Sequence, residues 1–130
     1  DLSNIRLYHG DVWDILPIIP DGCVRTVHIL YPDPWPKSRH FKRRLVQEDL
    51  IAQIYRVLEP GAEFRFASDI PSYVDWALVR ILAHGGFDWG AESCEGWLKP
   101  YPNWPGTRYE AKALREGRTP HYLSFIKQKP

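Results

Sequence analysis

Cysteine is scarce in this chain of 130 residues: Cys23 and Cys94 are the only two. They stand far apart and form no CxxC pair. Neither a disulfide framework nor a zinc knuckle is expected, and a reducing, cytoplasmic setting fits best. Long apolar runs are missing as well. None approaches the ~20 residues that a membrane-spanning helix needs, and no basic, apolar, small-residue stretch opens the chain as a secretory signal would. His9, His28, His40, His84 and His121 show no metal-ligand spacing, so no metal site is expected. GxSxG, HExxH and Walker sequences are absent. Internal repeats and low-complexity segments are absent too. Hydrophobic residues make up 44% and charged residues 25%, which excludes a wholly disordered or collagen-like chain. The length suits one domain.

Aromatic residues and proline are plentiful. Aromatics reach 14% with six Trp, and the 12 prolines fall mostly in short clusters, so much of the chain must be shaped loop. The net charge of +1 conceals a pattern. Residues 1–36 carry −3, residues 37–44 (KSRHFKRR) carry +5, residues 45–98 carry −6 and residues 99–130 carry +5. Two basic zones flank acidic stretches, and a polyanion binds to local Lys and Arg density rather than to net charge.

Hydrophobic periodicity divides the chain. Asn4–Tyr8 alternates and predicts a short strand, and Val12–Leu16 a short helix. Thr26–Tyr31 is apolar and β-branched, as in a strand buried on both faces of a parallel sheet. Val46–Leu58 carries a helical stripe that Pro60-Gly61 should stop. Ala62–Ser68 predicts a strand, and Pro71 opens a helix that Gly85-Gly86 closes. Phe87–Ser93 predicts a strand, 97–106 a Pro- and Trp-rich loop, Thr107–Glu116 a helix stopped by Gly117, and Tyr122–Lys127 a final strand. The middle is β-loop-α-β-α, the signature of an α/β fold with parallel strands. The last two strands, lacking a long helix between them, suit an antiparallel edge pair.

Open α/β sheets bind ligands beyond the carboxyl ends of their strands. Asp11, Asp33 and Asp69 each follow an expected strand. One such Asp is an ordinary turn residue; three in succession would line one rim. Asp33 lies in Tyr31-Pro32-Asp33-Pro34-Trp35-Pro36, where flanking prolines restrict its backbone. A polyproline ligand for a docking domain is the alternative for this run, but it follows a buried strand directly, which suits a rigid site loop better. Lys37, Arg39, Lys42, Arg43 and Arg44 come next. Read alone they are a solvated loop; beside a constrained Asp and a Trp they read as a phosphate grip, with aromatics able to stack on unpaired bases. Thr107 and Glu110 have the spacing of a capping box, and a helix N-terminus also favours anions.

The run YPDPWPKSRHFKRRLV at 31–46 resembles the hallmark of the bacterial tRNA (guanine-N7)-methyltransferases of the TrmB type. The similarity extends to LEPGAEFRFASD at 58–69, TRYE at 107–110 and the closing strand, and NIRLYHGD at 4–11 resembles the segment that recognises the cofactor's adenine. The resemblance implies a Rossmann-like class I fold that uses S-adenosylmethionine (SAM) to methylate N7 of a guanine in the tRNA variable loop. It implies that Asp11 and Asp33 lie on the cofactor side and that Asp33 is catalytic. It also implies that Lys37, Asp69, Thr107, Arg108, Tyr109 and Glu110 touch substrate. Ser68 stands where the family commonly has Thr. The family's glycine-rich loop and the acidic residue ending its second strand do not occur, so the chain resembles the C-terminal part of the fold, lacking the first two strands. Asn4–Tyr8 then has no expected neighbour, and the edge of the 27–30 strand should be exposed. Two other functions are open to these residues. One is an RNA-binding module without catalysis; the other, a metal-dependent nuclease, has no supporting carboxylate spacing.

Overall fold

The computed structural model describes residues 2–91 and 93–130, without the Cys94 side chain. The expected strand at 87–93 therefore overlaps one residue, Glu92, that lies outside the described residues. Four strands form one sheet in the order β1-β2-β4-β3: β1 Val24–Leu30, β2 Leu58–Ser68, β3 Phe87–Trp89 and β4 His121–Lys127. Helix α1 (Glu48–Val57) connects the parallel pair β1 and β2, and α2 (Pro71–Ala83) follows β2. Helix α3 (Arg108–Arg115) leads into β4, which runs antiparallel to both β2 and β3.

Alternation along the strands sorts the side chains. Phe64 and Phe66 of β2 and Leu123 and Phe125 of β4 share one face with no exposure. They pack against Leu50, Ile51, Ile54 and Val57 of α1 and Tyr73, Val74, Ala77 and Ile81 of α2 in one cluster. Each large apolar side chain buried this way contributes about 1.5–3 kcal/mol. Ala67, Tyr101 and Tyr122 form a second, smaller cluster. Tyr101 anchors the Pro- and Trp-rich loop, its hydroxyl lying 2.8 Å from the Leu123 carbonyl and 3.0 Å from that of Phe66.

Helix α1 carries Glu48 and Asp49 in its first turn, where carboxylates suit the helix dipole. At its other end the Lys127 ammonium donates to the carbonyls of Tyr55 (2.7 Å) and Leu58 (2.8 Å), satisfying groups the helix leaves open. The helix stops before Pro60-Gly61, and β2 begins at once. A register shift between Val24 and Thr26 absorbs the interruption, with Gly61 at φ +81°. Pro60 offers no N–H to a ladder, which suits this irregular stretch.

The N-terminal expectation needs correction. Asn4–Tyr8 forms no strand, and Ile5, Leu7 and Tyr8 are exposed. A strand requires a partner for its backbone N–H and C=O groups, and among the described residues no strand of the sheet pairs with this segment. Next along the chain is a pair of 3-10 turns, Val12–Asp14 and Leu16–Ile18, of which only Leu16 is buried. β1 is an edge strand, as expected, and its residues are half-buried or exposed except Ile29. The sequence suggested burial on both faces; the structure covers neither fully.

Candidate active site

Because β1 and β2 are parallel, their carboxyl ends meet at one rim, with the Tyr31 N–H donating to the Ala67 carbonyl at 2.8 Å. Asp33 and Asp69 stand just past those ends. Asp11 does not sit at a strand end, since no strand precedes it. It caps the first 3-10 turn, its Oδ1 accepting from the Trp13 N–H at 2.9 Å. Its neighbour Val12 and Asp33's neighbour Pro32 line the same apolar groove of about 420 Å³, while Asp33 itself borders a separate surface hollow with Pro34, Trp35 and Pro36.

The loop after β1 is strained. Tyr31 has φ +51° and Trp35 φ +42°, a region that non-glycine residues avoid. Such conformations cost on the order of 1–3 kcal/mol each and persist only where surroundings impose them. Here the prolines impose part of the shape and Arg44 another part. Its Nε donates to the Pro34 carbonyl at 2.9 Å. Its guanidinium lies 4.1 Å from the Phe41 ring centre, 4.9 Å from Tyr73 and 5.0 Å from Trp76. Arg44 is 2% exposed. Burial lowers its pKa from the usual arginine value. It is a strut of the Asp33 loop, its guanidinium engaged by Pro34, Ser72 and three rings, and it is left out of the phosphate grip proposed below.

The rest of the basic run behaves differently. Ser38–Arg43 forms 3-10 turns, and Lys37, Arg39, Lys42 and Arg43 are exposed. Arg43 lies over Trp35 at 5.2 Å, and His40 meets the same ring edge-on at 5.8 Å. A half-buried Trp beside exposed cations, next to the exposed Asp33, is a surface suited to an anionic, aromatic ligand.

The first turn of α3 closes the rim from the other side. Thr107 caps the helix, its Oγ1 accepting from the Glu110 N–H at 3.0 Å. Glu110 does not complete the reciprocal half of a capping box. Its buried carboxylate accepts from Trp104 Nε1 at 2.7 Å and from the Tyr122 hydroxyl. Tyr109 is exposed and tilts against Tyr31 at 5.1 Å between ring centres, tying α3 to the strained loop. Burial and the nearby Glu110 carboxylate push the Tyr31 and Tyr122 hydroxyls well above the ordinary tyrosine range, so both stay neutral. Arg108 is exposed.

Asp69 is buried and accepts from Arg118 Nε at 2.5 Å. The preceding Ser68 hydroxyl accepts from the Ile70 N–H at 3.1 Å, a turn a Thr would also form. Sequence reasoning passed over Arg118, Tyr122, Trp104 and Tyr31. The only sequence trace of Arg118 is its place after Gly117, the helix stop.

Two strand-end acids, a strained aromatic loop and a helix start gather around one rim of an α/β sheet. The family model described as "Putative methyltransferase" matches residues 1–123, and the chain belongs to that family. The tRNA (guanine-N(7)-)-methyltransferase of Agrobacterium fabrum is 52% identical over 128 residues, covering 98% of this chain and 55% of that protein. The protein of the same name from Mesorhizobium japonicum is 50% identical over 127 residues, covering 98% and 54%. The chain thus spans about half the length of the curated relatives it matches. Two crystal structures of a "Putative DNA Modification Methylase" from Thermus thermophilus share the fold. Their TM-scores are 0.58 and 0.51 at 20% and 19% identity, each over 93% of this chain and about half of theirs. Among the described residues no helix is long and apolar enough to cross a membrane, and no cluster of three His, Cys, Asp or Glu residues could hold a metal.

Proposed function

We propose that this chain carries the substrate-side part of a SAM-dependent methyltransferase acting on N7 of a guanine in the tRNA variable loop. The observation that carries the reading is the Asp33 loop: an exposed carboxylate on a strained, strutted turn, bordered by exposed cations. The relatives' shared name supports the choice of base and atom.

The residues fit the adenine side of SAM. Asp11 and Asp33 are exposed acceptors whose neighbours Val12 and Pro32 line one groove, and the Asp11 side chain accepts from the Trp13 N–H. When bound, SAM supplies an electrophilic methyl group on a sulfonium. Guanine N7 carries a free lone pair, so no proton has to leave first. The protein's task would be to hold the guanine in one orientation, with N7 presented to the methyl donor, because a small misplacement is costly in rate. Positive charge grows on the purine during transfer, and a fixed carboxylate there stabilises it. Asp33 takes this role. Asp69 and the α3 start hold the guanine, Arg108 and Tyr109 from the exposed side, with Thr107 capping that turn and Glu110 bracing it through Trp104 and Tyr122. Lys37, Arg39, Lys42 and Arg43 hold phosphates, which position the RNA without reading its sequence.

Asp33→Asn in the full-length enzyme, assayed by mass spectrometry for N7-methylguanosine, tests this reading. Turnover at saturating SAM and tRNA should fall roughly tenfold to a thousandfold, or about 1.4–4 kcal/mol, while tRNA affinity changes little. Near-normal turnover would remove the catalytic role. RNA binding without any methyl transfer by the unaltered enzyme would leave a binding module instead.

A further inference from the structure

The Asp69 carboxylate is held by a side chain from the far end of α3. Helix α3 ends at Arg115, and Gly117 adopts φ +78°. The Gly117 N–H donates to the Leu114 carbonyl at 3.1 Å, and the Arg118 N–H to the Ala113 carbonyl at 2.9 Å. These two bonds form a Schellman motif, which fixes the backbone direction two residues past the helix. Arg118 leaves that motif aimed at the rim. Its Nε meets Asp69 at 2.5 Å, its Nη1 donates to Glu116, and its guanidinium lies 6.0 Å from the Tyr109 ring. One planar fork therefore spans the end of β2 and both ends of α3. A lysine ammonium could not hold two carboxylates in this planar way.

Building on the reading of Asp69 as a guanine-holding group, we propose that Arg118 is the positioning residue that aims the Asp69 carboxylate at the substrate base. With Oδ2 occupied by Arg118, the carboxylate cannot rotate freely, and its second oxygen keeps one direction. A hydrogen bond to the guanine N1 and N2 edge needs that fixed direction, because a small misplacement of the base carries N7 off line. Phosphate contacts by the exposed cations do not depend on it. Arg118 thus governs turnover more than RNA affinity.

The test is a double-mutant cycle in the full-length enzyme, measured below each variant's melting temperature. Arg118→Ala should lower kcat roughly tenfold while the tRNA Kd moves less than about twofold. Arg118→Lys should recover part of the loss, since it keeps the charge without the fork. Asp69→Asn should cost at least as much as Arg118→Ala, and the double variant no more than Asp69→Asn alone, because one residue acts through the other. Losses that multiply, or Arg118→Ala turning over within about twofold of the unaltered enzyme, would overturn the proposal. A silent Asp69→Asn would overturn it too, by a separate route: it would show that Asp69 does not hold the base. A large Asp69 effect with independent Arg118 would leave that reading standing and sink only this one.

Discussion

Asp33 and Asp69 stand at adjacent ends of parallel strands, yet the protein holds them by opposite means. Asp33 is exposed, and its direction comes from backbone: prolines on both sides, left-handed Tyr31 and Trp35, and the Arg44 strut on the Pro34 carbonyl. Asp69 is buried, and its direction comes from a partner, Arg118. A conformational hold leaves the carboxylate bare for a cationic transition state. An ion-paired hold commits one oxygen to the partner but gives the other a fixed aim. The division matches the proposed work, with charge stabilisation assigned to Asp33 and base orientation to Asp69.

The largest effect on stability should come from attacking the conformational hold at its strut. Arg44→Ala removes hydrogen bonds to Pro34 and Ser72 and empties a cage of three rings. A loss of about 2–4 kcal/mol is expected, read as a lower denaturant midpoint. Its neighbour gives the contrast. Arg43→Ala should leave stability within about 1 kcal/mol and reduce the log–log salt slope of tRNA binding by about 1. An equal slope change for Arg44→Ala would return Arg44 to the phosphate grip.

A smaller effect is expected from loosening the ion-paired hold without touching either charge. Gly117 has open space where a Cβ would stand, so Gly117→Ala meets no clash, only the left-handed backbone. That conformation costs a non-glycine residue roughly 1–2 kcal/mol. Stability should fall by that amount, and turnover should fall along with it if Arg118 is displaced. A stability loss with untouched turnover would separate the Schellman turn from the aim of Asp69.

The smallest effect adds a third carboxylate. Glu63 is partly buried on β2; burial alone would raise its pKa, but the ion pair with Arg65 and the hydrogen bond from Ser124 outweigh it and hold the carboxyl below its ordinary 4.5. A depressed folded-state pKa contributes stability above the unfolded value, and that stability is lost as pH falls through the folded one. Glu63→Gln should therefore flatten the acid limb of the stability curve below about pH 4.5, by less than about 1 kcal/mol after solvent screening. An unchanged limb would show that this pair contributes nothing measurable.

Both helices of the main core and the β1-α1-β2-α2 order were legible because their apolar spacing serves a single buried face, and burial is what the pattern records. The antiparallel β3-β4 pair was legible because no long helix separates the two strands, α3 being short. Asn4–Tyr8 misled because alternation records a tendency to pair, and a pair needs a neighbour. The candidate site was legible as residue types: constrained Asp33, basic 37–44, TRYE at 107–110. Within it Arg43 and Arg44 looked alike. Their fates diverge because Phe41, Tyr73 and Trp76 close around one and not the other, and two of those rings come from α2.

The sequence by itself determined the local conformations of this protein: where prolines bend the chain, where Pro71 starts a helix, where Gly117 ends one, which faces are apolar. These depend on one residue and its near neighbours. Only the tertiary structure decided which charges are bare and which are spoken for. Asp69 and Arg118 lie 49 positions apart, and Arg44 and Ser72 28 apart. Their encounters follow from how α2, α3 and the loops beside them pack against the end of β2. The electrostatics of a buried group are set by what packing brings within a few ångströms, and sequence spacing does not record that distance.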